Sequence, residues 1–196
     1  MEYIYEAHNM LPKTFCKEMI EKFESDSRRR QGETQGGAID HTLKKCTDLS
    51  IEHITGWGVE SKHLDDAFNT AFIDYQNYLK INIFGEEKAD IVDNIFVGNN
   101  VVRNTFTFRK YQVGDYFKWH IDYLHSADRM CNFIIYLNDH EACTEFLNGK
   151  KIKPEPGKIV FFPTTWTYAH RGQPIEKGNK YIVTGFIYTD IDMSNV

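Results

Sequence analysis

The strongest constraint on how this chain folds is a change of periodicity partway along it. Leu64, Ala67, Phe68, Ala71, Phe72, Tyr75, Tyr78 and Leu79 fall three or four residues apart, which predicts a helix from about Lys62 to Leu79. Its broad apolar stripe needs a sheet to cover it. A shorter helix is expected earlier, where Leu11, Phe15, Met19, Ile20 and Phe23 recur at near-helical spacing and Pro12 suits a first turn. From about Val97 the pattern becomes short β-rich runs, VVRNTFTFRKY, CNFIIYL, KIVFFP and KYIVTGFIY. Gly114, the Asn138 and Asp139 pair, the Pro156 and Gly157 pair, and a turn holding Gly172, Pro174 and Gly178 divide them. Helices first and strands after imply an α+β fold in which the helices back one sheet of a β-sandwich.

With 196 residues the chain reads as one domain, 1–196, with helical support over about 1–96 and a β-core over about 97–190. A net charge of -5 argues against a surface that grips nucleic acid through clustered Lys and Arg, so nucleic acid is disfavoured as a partner. Arg28 to Arg30 are the local exception, in a polar, glycine-rich stretch from Ser25 to Gly37 read as a mobile, solvated loop. No apolar run is long enough for a membrane span, and MEYIYEAHNM lacks a signal-peptide pattern, so the expected compartment is the cytoplasm. Cys16, Cys46, Cys131 and Cys143 form no CxxC pair and are expected to be reduced and structural.

Alternation along the β-runs separates an apolar face from a polar one. Phe106 and Phe108 share one side of their run, with Thr105, Thr107, Arg109 and Tyr111 on the other. In the last run Lys180, Ile182, Thr184 and Phe186 share a side, with Tyr181, Val183 and Ile187 opposite. A polar inner face needs partners, which a wet or ligand-filled cavity supplies.

The chemistry-bearing residues are His120 and Asp122, spaced to face one way from a strand, with Ile121 turned into apolar packing, and a distant His170. Two imidazoles and a carboxylate form the ligand set that holds ferrous iron on one face and leaves the opposite positions open. Oxygen activation at such a centre needs two further electrons, most commonly from 2-oxoglutarate, whose far carboxylate requires a buried cation. Lys180 fits that need, and Tyr111, Tyr136 and Thr184 offer hydroxyl groups.

The segments RKYQVGDYFKWHID, NFIIYLND and TEFLNGKKIKPEPGKIVFFPTTWTYAHRGQPIEKGNKYIVTGF, over about Val101 to Tyr188, resemble the catalytic region of the prolyl 4-hydroxylase type of 2-oxoglutarate and iron(II) dependent dioxygenases. Their compact form is similar to bacterial or phage-borne members. The resemblance implies a double-stranded β-helix, the jelly-roll or cupin-like core, backed by the N-terminal helices. It makes His120, Asp122 and His170 the metal ligands, Lys180 the partner of the distal carboxylate, and Tyr111, with Tyr136 beside it, cosubstrate donors. It further implies iron(II), 2-oxoglutarate and O2, with L-ascorbate as a rescuing reductant, and a proline-containing protein or peptide as substrate. Pro163 also fits the pattern, whereas Ala142 and Cys143 stand where the family usually carries Gly-Gly, and Phe186 where it often has tryptophan.

Hydroxylation of a free amino acid or small metabolite, and a non-catalytic metal-stabilised peptide-binding module, are the competing readings. Among the other residues, His125 is read as solvated, His8, His41, His53, His63 and His140 as lacking ligand-like partners, Trp119 as core packing, and Trp166 as sharing strand parity with His170.

Overall fold

Two antiparallel sheets, with helices packed on the outer face of the larger one, make up the computed structural model, which describes residues 2–34, 37–52, 54–96, 100–123 and 129–190. In chain order the elements are β1 (Tyr5–Ala7), α1 (Lys13–Ser25), β2 (Arg30–Gln31), β3 (Lys44–Lys45), β4 (Thr47–Ser50), α2 (Gly58–Tyr78) and α3 (Ala89–Phe96). They continue as β5 (Asn100–Arg103), β6 (Thr107–Tyr111), β7 (Tyr116–His120), β8 (Arg129–Tyr136), β9 (Thr144–Phe146), β10 (Lys151–Ile152), β11 (Ile159–Pro163), β12 (His170–Gly172) and β13 (Lys180–Asp190). The larger sheet runs β1-β11-β8-β13-β6-β4-β2, with β5 also on β13, and the smaller runs β10-β9-β12-β7-β3. This is the mixed helix and jelly-roll architecture expected from the sequence.

The alternation read from the sequence decides which side of the larger sheet meets the helices. Phe106, Phe108, Phe133, Ile135, Phe161, Tyr181, Val183 and Ile187 form one core with Met19 and Phe23 of α1 and Leu64, Phe68, Ala71 and Tyr75 of α2. Aromatic rings dominate that seam: Phe23 stacks on Phe108 at 4.2 Å and Tyr75 on Phe161 at 5.3 Å. Each such fully buried side chain contributes roughly 1.5–3 kcal/mol over leaving it in water. Between the two sheets lies a second core, with Tyr111, Ile134, Tyr136, Phe146, Val160, Phe162, Ile175 and Ile182 among its members.

The segment before residue 97 departs from the helix-only expectation, because it also supplies β1 to β4. These strands are two to four residues long, too short for an alternation signal, and form only because β11, β7 and β6 offer unpaired edges. Helix α2 begins at Gly58, ahead of Lys62, because Trp57 is fully buried and its Nε1 donates to Asp26 at 2.8 Å, fixing the entry from outside the helix. The VVRNTFTFRKY run is broken at residues 104–106. There the Asn104 backbone and side chain bond the Phe186 backbone, and β5 and β6 pair with different stretches of β13. Within the 25–37 stretch, Arg30 and Gln31 pair with β4, while Arg28 and Arg29 are held by Asp26 and Glu24 at 2.6 and 2.7 Å. Val97, where the change of pattern was placed, lies outside the described residues. Cys16, Cys46, Cys131 and Cys143 are free, and among the described residues no helix is long and apolar enough to cross a membrane.

Candidate metal centre

Strand pairing brings the first and last of the motif residues together. Strands β12 and β7 are antiparallel neighbours, and their register sets His170 directly opposite His120. The two rings lie 4.2 Å apart between centroids. Asp122 follows two residues after β7 ends, and its carboxylate spans the pair, Oδ1 at 3.5 Å from His120 Nε2 and Oδ2 at 3.5 Å from His170 Nε2. Among the described residues this trio forms the cluster whose ligand atoms all lie within 4.8 Å of one another.

The surrounding hydrogen bonds orient those atoms. Nδ1 of His120 bonds the Lys118 carbonyl at 2.8 Å and Nδ1 of His170 bonds the Tyr168 carbonyl at 3.1 Å. Donation there leaves each Nε2 lone pair facing Asp122, the tautomer that a metal ligand needs. Asn132 on β8 donates its amide to Asp122 Oδ2, and Arg129 donates to the Asp122 carbonyl at 3.2 Å. Burial alone would raise the Asp122 carboxyl, but the two imidazoles and the Asn132 amide outweigh it and hold the group well below its ordinary range. Burial lowers His170 to about 4 against the opposing pull of Asp122, so its ring is neutral at neutral pH. A carboxylate and two imidazole Nε2 atoms, fixed in orientation, fit a dication.

These groups open onto a cavity of about 370 Å³, within the ordinary range for a small-molecule site. His120, Asp122, His170, Tyr111, Thr184 and Lys180 all line it. Lys180 is almost wholly buried, and its Nζ donates to the Ala142 carbonyl at 2.9 Å and sits 5.5 Å from the Tyr136 ring. No carboxylate within ion-pair reach of it occurs among the described residues, and burial lowers its pKa to about 8. Lys180, Ile182, Thr184 and Phe186 all face the cavity, as period two required.

Several expectations are corrected. Tyr136 does not line the cavity, because its hydroxyl is spent on Thr144 Oγ1 at 2.7 Å and its ring lies beneath Lys180. Ile121 is 46% exposed and sits on the cavity wall rather than in apolar packing, since strand alternation lapses once β7 ends. Trp119 is not core: it is 40% exposed with Arg171 over its ring at 4.9 Å, on the outer side of the smaller sheet. Trp166 sits in a 3-10 turn, where strand parity has no meaning, and is 75% exposed. His8, His41, His63 and His140 contact Glu155, Gln31, the Val59 carbonyl and the Ala142 amide respectively, and His53 and His125 lie outside the described residues. Ala142 and Cys143 adopt no left-handed backbone, so replacing a glycine pair costs no strain there.

Sequence reasoning missed Asn132 and Arg129. The signal for Asn132 was present: in CNFIIYL it shares parity with Ile134 and Tyr136, opposite Phe133 and Ile135, and so is the one amide on the cavity-facing side.

Residues 106–188 match the 2OG-Fe(II) oxygenase superfamily. The matched stretch holds the whole trio and Lys180, and it agrees with the resemblance read from the motifs. No curated protein matches the chain. Among solved structures, a prolyl hydroxylase from Trichoplax adhaerens, in complex with a hypoxia inducible factor oxygen degradation domain peptide fragment, superposes with a TM-score of 0.74 at 13% identity, covering 95% of this chain and 84% of that one. A viral collagen prolyl hydroxylase from Paramecium Bursaria Chlorella virus-1 gives 0.62 at 18% identity, covering 96% of each chain. A Pseudomonas putida prolyl-4-hydroxylase gives 0.62 at 15% identity, covering 96% of this chain and 94% of that one. At such identities these likenesses establish the shared fold.

Proposed function

We propose that this protein is an iron(II) and 2-oxoglutarate dependent dioxygenase that hydroxylates an aliphatic carbon, with the 4-position of prolyl residues in a protein or peptide as target. The observation that carries this reading is one cavity with two poles. At one are two histidine Nε2 atoms facing a carboxylate, and at the other is a buried lysine with no carboxylate partner among the described residues. A non-catalytic metal site has no use for the second pole. The match of residues 106–188 supports the reaction class, and the prolyl hydroxylase neighbours support the substrate.

His120, Asp122 and His170 would hold the iron, and 2-oxoglutarate with O2 would supply the oxidation, substrate C–H becoming C–OH as the cosubstrate leaves as succinate and CO2. The chain's own part is positioning. The Lys118 and Tyr168 carbonyls fix the imidazole tautomers, and Asn132 and Arg129 fix the Asp122 arm. Lys180 would pair with the distal carboxylate of the cosubstrate, with Tyr111 and Thr184 as hydroxyl donors along its path and Tyr136 supporting the ammonium from below. Since the helices cover the sheet that carries β6, β8 and β13, the whole chain acts as one domain on this reading.

The test is succinate release from purified protein given iron(II), O2 and 2-oxoglutarate, with and without proline-containing peptides, and with ascorbate added to restore enzyme oxidised in unproductive cycles. Release is expected, stimulated by substrate and abolished by His120→Ala. Iron binding without succinate under any substrate would instead support a metal-stabilised binding module.

A further inference from the structure

Among the described residues the cavity is lined by three side-chain cations besides the histidines, namely Arg109, Arg129 and Lys180, and by two carboxylates, Asp122 and Glu33. Asp122 is committed to the histidines, and Glu33 lies 3.8 Å from Arg30. Arg129 is occupied as well: it donates to the Asp122 carbonyl at 3.2 Å and the Tyr188 hydroxyl at 3.1 Å, and lies over the Phe186 ring at 3.9 Å.

Arg109 is placed differently. Its nearest carboxylate, Asp48, is 3.9 Å from Nε, too far for a hydrogen bond. Asp48 is already taken by Lys44 Nζ at 3.0 Å and Cys46 Sγ at 3.1 Å. Nε of Arg109 is buried with no hydrogen-bond partner among the described residues. A guanidinium is a rigid fork of donors that matches a carboxylate two bonds at a time; that of Arg109 borders the cavity beside Tyr111, with its Nε enclosed on the Asp48 side.

Register and charge separate Arg109 from the cosubstrate anchor. Arg109 pairs with Ile182 on β6, one step along from the Tyr111 and Lys180 pair. Lys180 directs its ammonium to Ala142 and the Tyr136 ring, on the β8 side of β13 rather than the β6 side. Lys44 and Arg109 share the single carboxylate of Asp48, so among the described residues one positive charge there stays unanswered after a dicarboxylate cosubstrate has satisfied Lys180 and the metal.

We propose that Arg109 determines substrate choice by binding, through the guanidinium it presents to the cavity, a carboxylate carried by the molecule that is hydroxylated. This rests on the oxygenase reading above, not on its prolyl-residue target, and names a chemical group that the substrate carries. The carboxylate has two chemical sources, a free amino acid or the free C-terminus of a peptide.

Calorimetry on the full chain, loaded anaerobically with iron(II) and 2-oxoglutarate, distinguishes them. The probes are L-proline and L-prolinamide, Gly-Pro and its amide, and a prolyl tripeptide blocked at both ends. At least one free acid is expected to bind about tenfold or more tighter than its amide. Arg109→Gln should reduce the acid to the level of the amide while the Kd for 2-oxoglutarate stays within about threefold. Arg109→Lys, which keeps the charge but not the planar fork, should lose most of the preference with the thermal midpoint retained, and it decides the matter if the glutamine variant does not fold. Selectivity for L-proline alone would identify a free amino acid, and selectivity for Gly-Pro a peptide terminus. Acids and amides binding alike, binding of the blocked peptide only, an acid preference that survives Arg109→Gln, or a weakened 2-oxoglutarate Kd in its place would each overturn the proposal. Acid preference without succinate release in air would sink the oxygenase reading and leave the role of Arg109 standing.

Discussion

Lys180 is a single residue on which cosubstrate binding can be tested by pH. Burial lowers its pKa to about 8, from the 10.5 of an exposed lysine. The free protein therefore favours the neutral amine above that value, whereas a bound carboxylate requires the ammonium. Affinity for 2-oxoglutarate is expected to be full below about pH 8 and to fall as pH rises through it, by up to about tenfold per unit. Calorimetric titration across that range checks this, and a flat profile would count against Lys180 as the anchor. Lys180→Ala should weaken the cosubstrate by about tenfold or more, while iron affinity, measured separately, changes little because the lysine lies outside the ligand set. Asn132→Ala should do the reverse, reducing metal affinity about 10–100-fold by freeing the Asp122 carboxylate, with the fold intact by circular dichroism.

Among the elements, β13 does the most positioning. It pairs with β6 on one side, β8 on the other and β5 beyond, and gives one face to the cavity and the other to the core. Gly185 sits on its core side, where an added Cβ would fall 2.5 Å from the Phe133 ring and 2.8 Å from Asn104 Oδ1. Phe133 is fully buried and cannot swing clear, so Gly185→Ala should destabilise the protein by about 1–3 kcal/mol, read from urea denaturation. The same strand shows how far sequence reaches at this scale. Its alternation assigned Lys180, Ile182, Thr184 and Phe186 to the cavity side because an antiparallel strand between a core and a cleft must alternate. Alternation was uninformative at Trp166, which lies in a 3-10 turn, and at Ile121, which follows the end of β7.

For the whole molecule, the two cores hold the sandwich together without help from the metal site. One lies under α1 and α2 and the other between the sheets, beside the cavity. Chelation of the metal is accordingly expected to leave the far-ultraviolet circular dichroism unchanged and only to lower the thermal midpoint, by the binding energy that favours the folded state. Unfolding on chelation would show instead that the ion is structural. Phe68 reaches from α2 to Phe133 and Phe161 on the sheet, so Phe68→Ala should cost about 3–5 kcal/mol and lower the midpoint with or without metal.

The sequence by itself determined the α+β class, the positions of the two main helices, the faces of the long strands and the identities of the clustering residues. Those properties follow from local periodicity and from the chemistry of side-chain types. Tertiary structure decided the rest. The register of β7 against β12 set His170 opposite His120, edges of existing sheets drew β1 to β4 out of the N-terminal segment, and Thr144 took the Tyr136 hydroxyl out of the cavity. Each of these depends on contacts between residues far apart in the chain, which no local pattern encodes. The unfilled Nε of Arg109 is of the same kind, since it is defined by Lys44 and Cys46 having claimed Asp48 first.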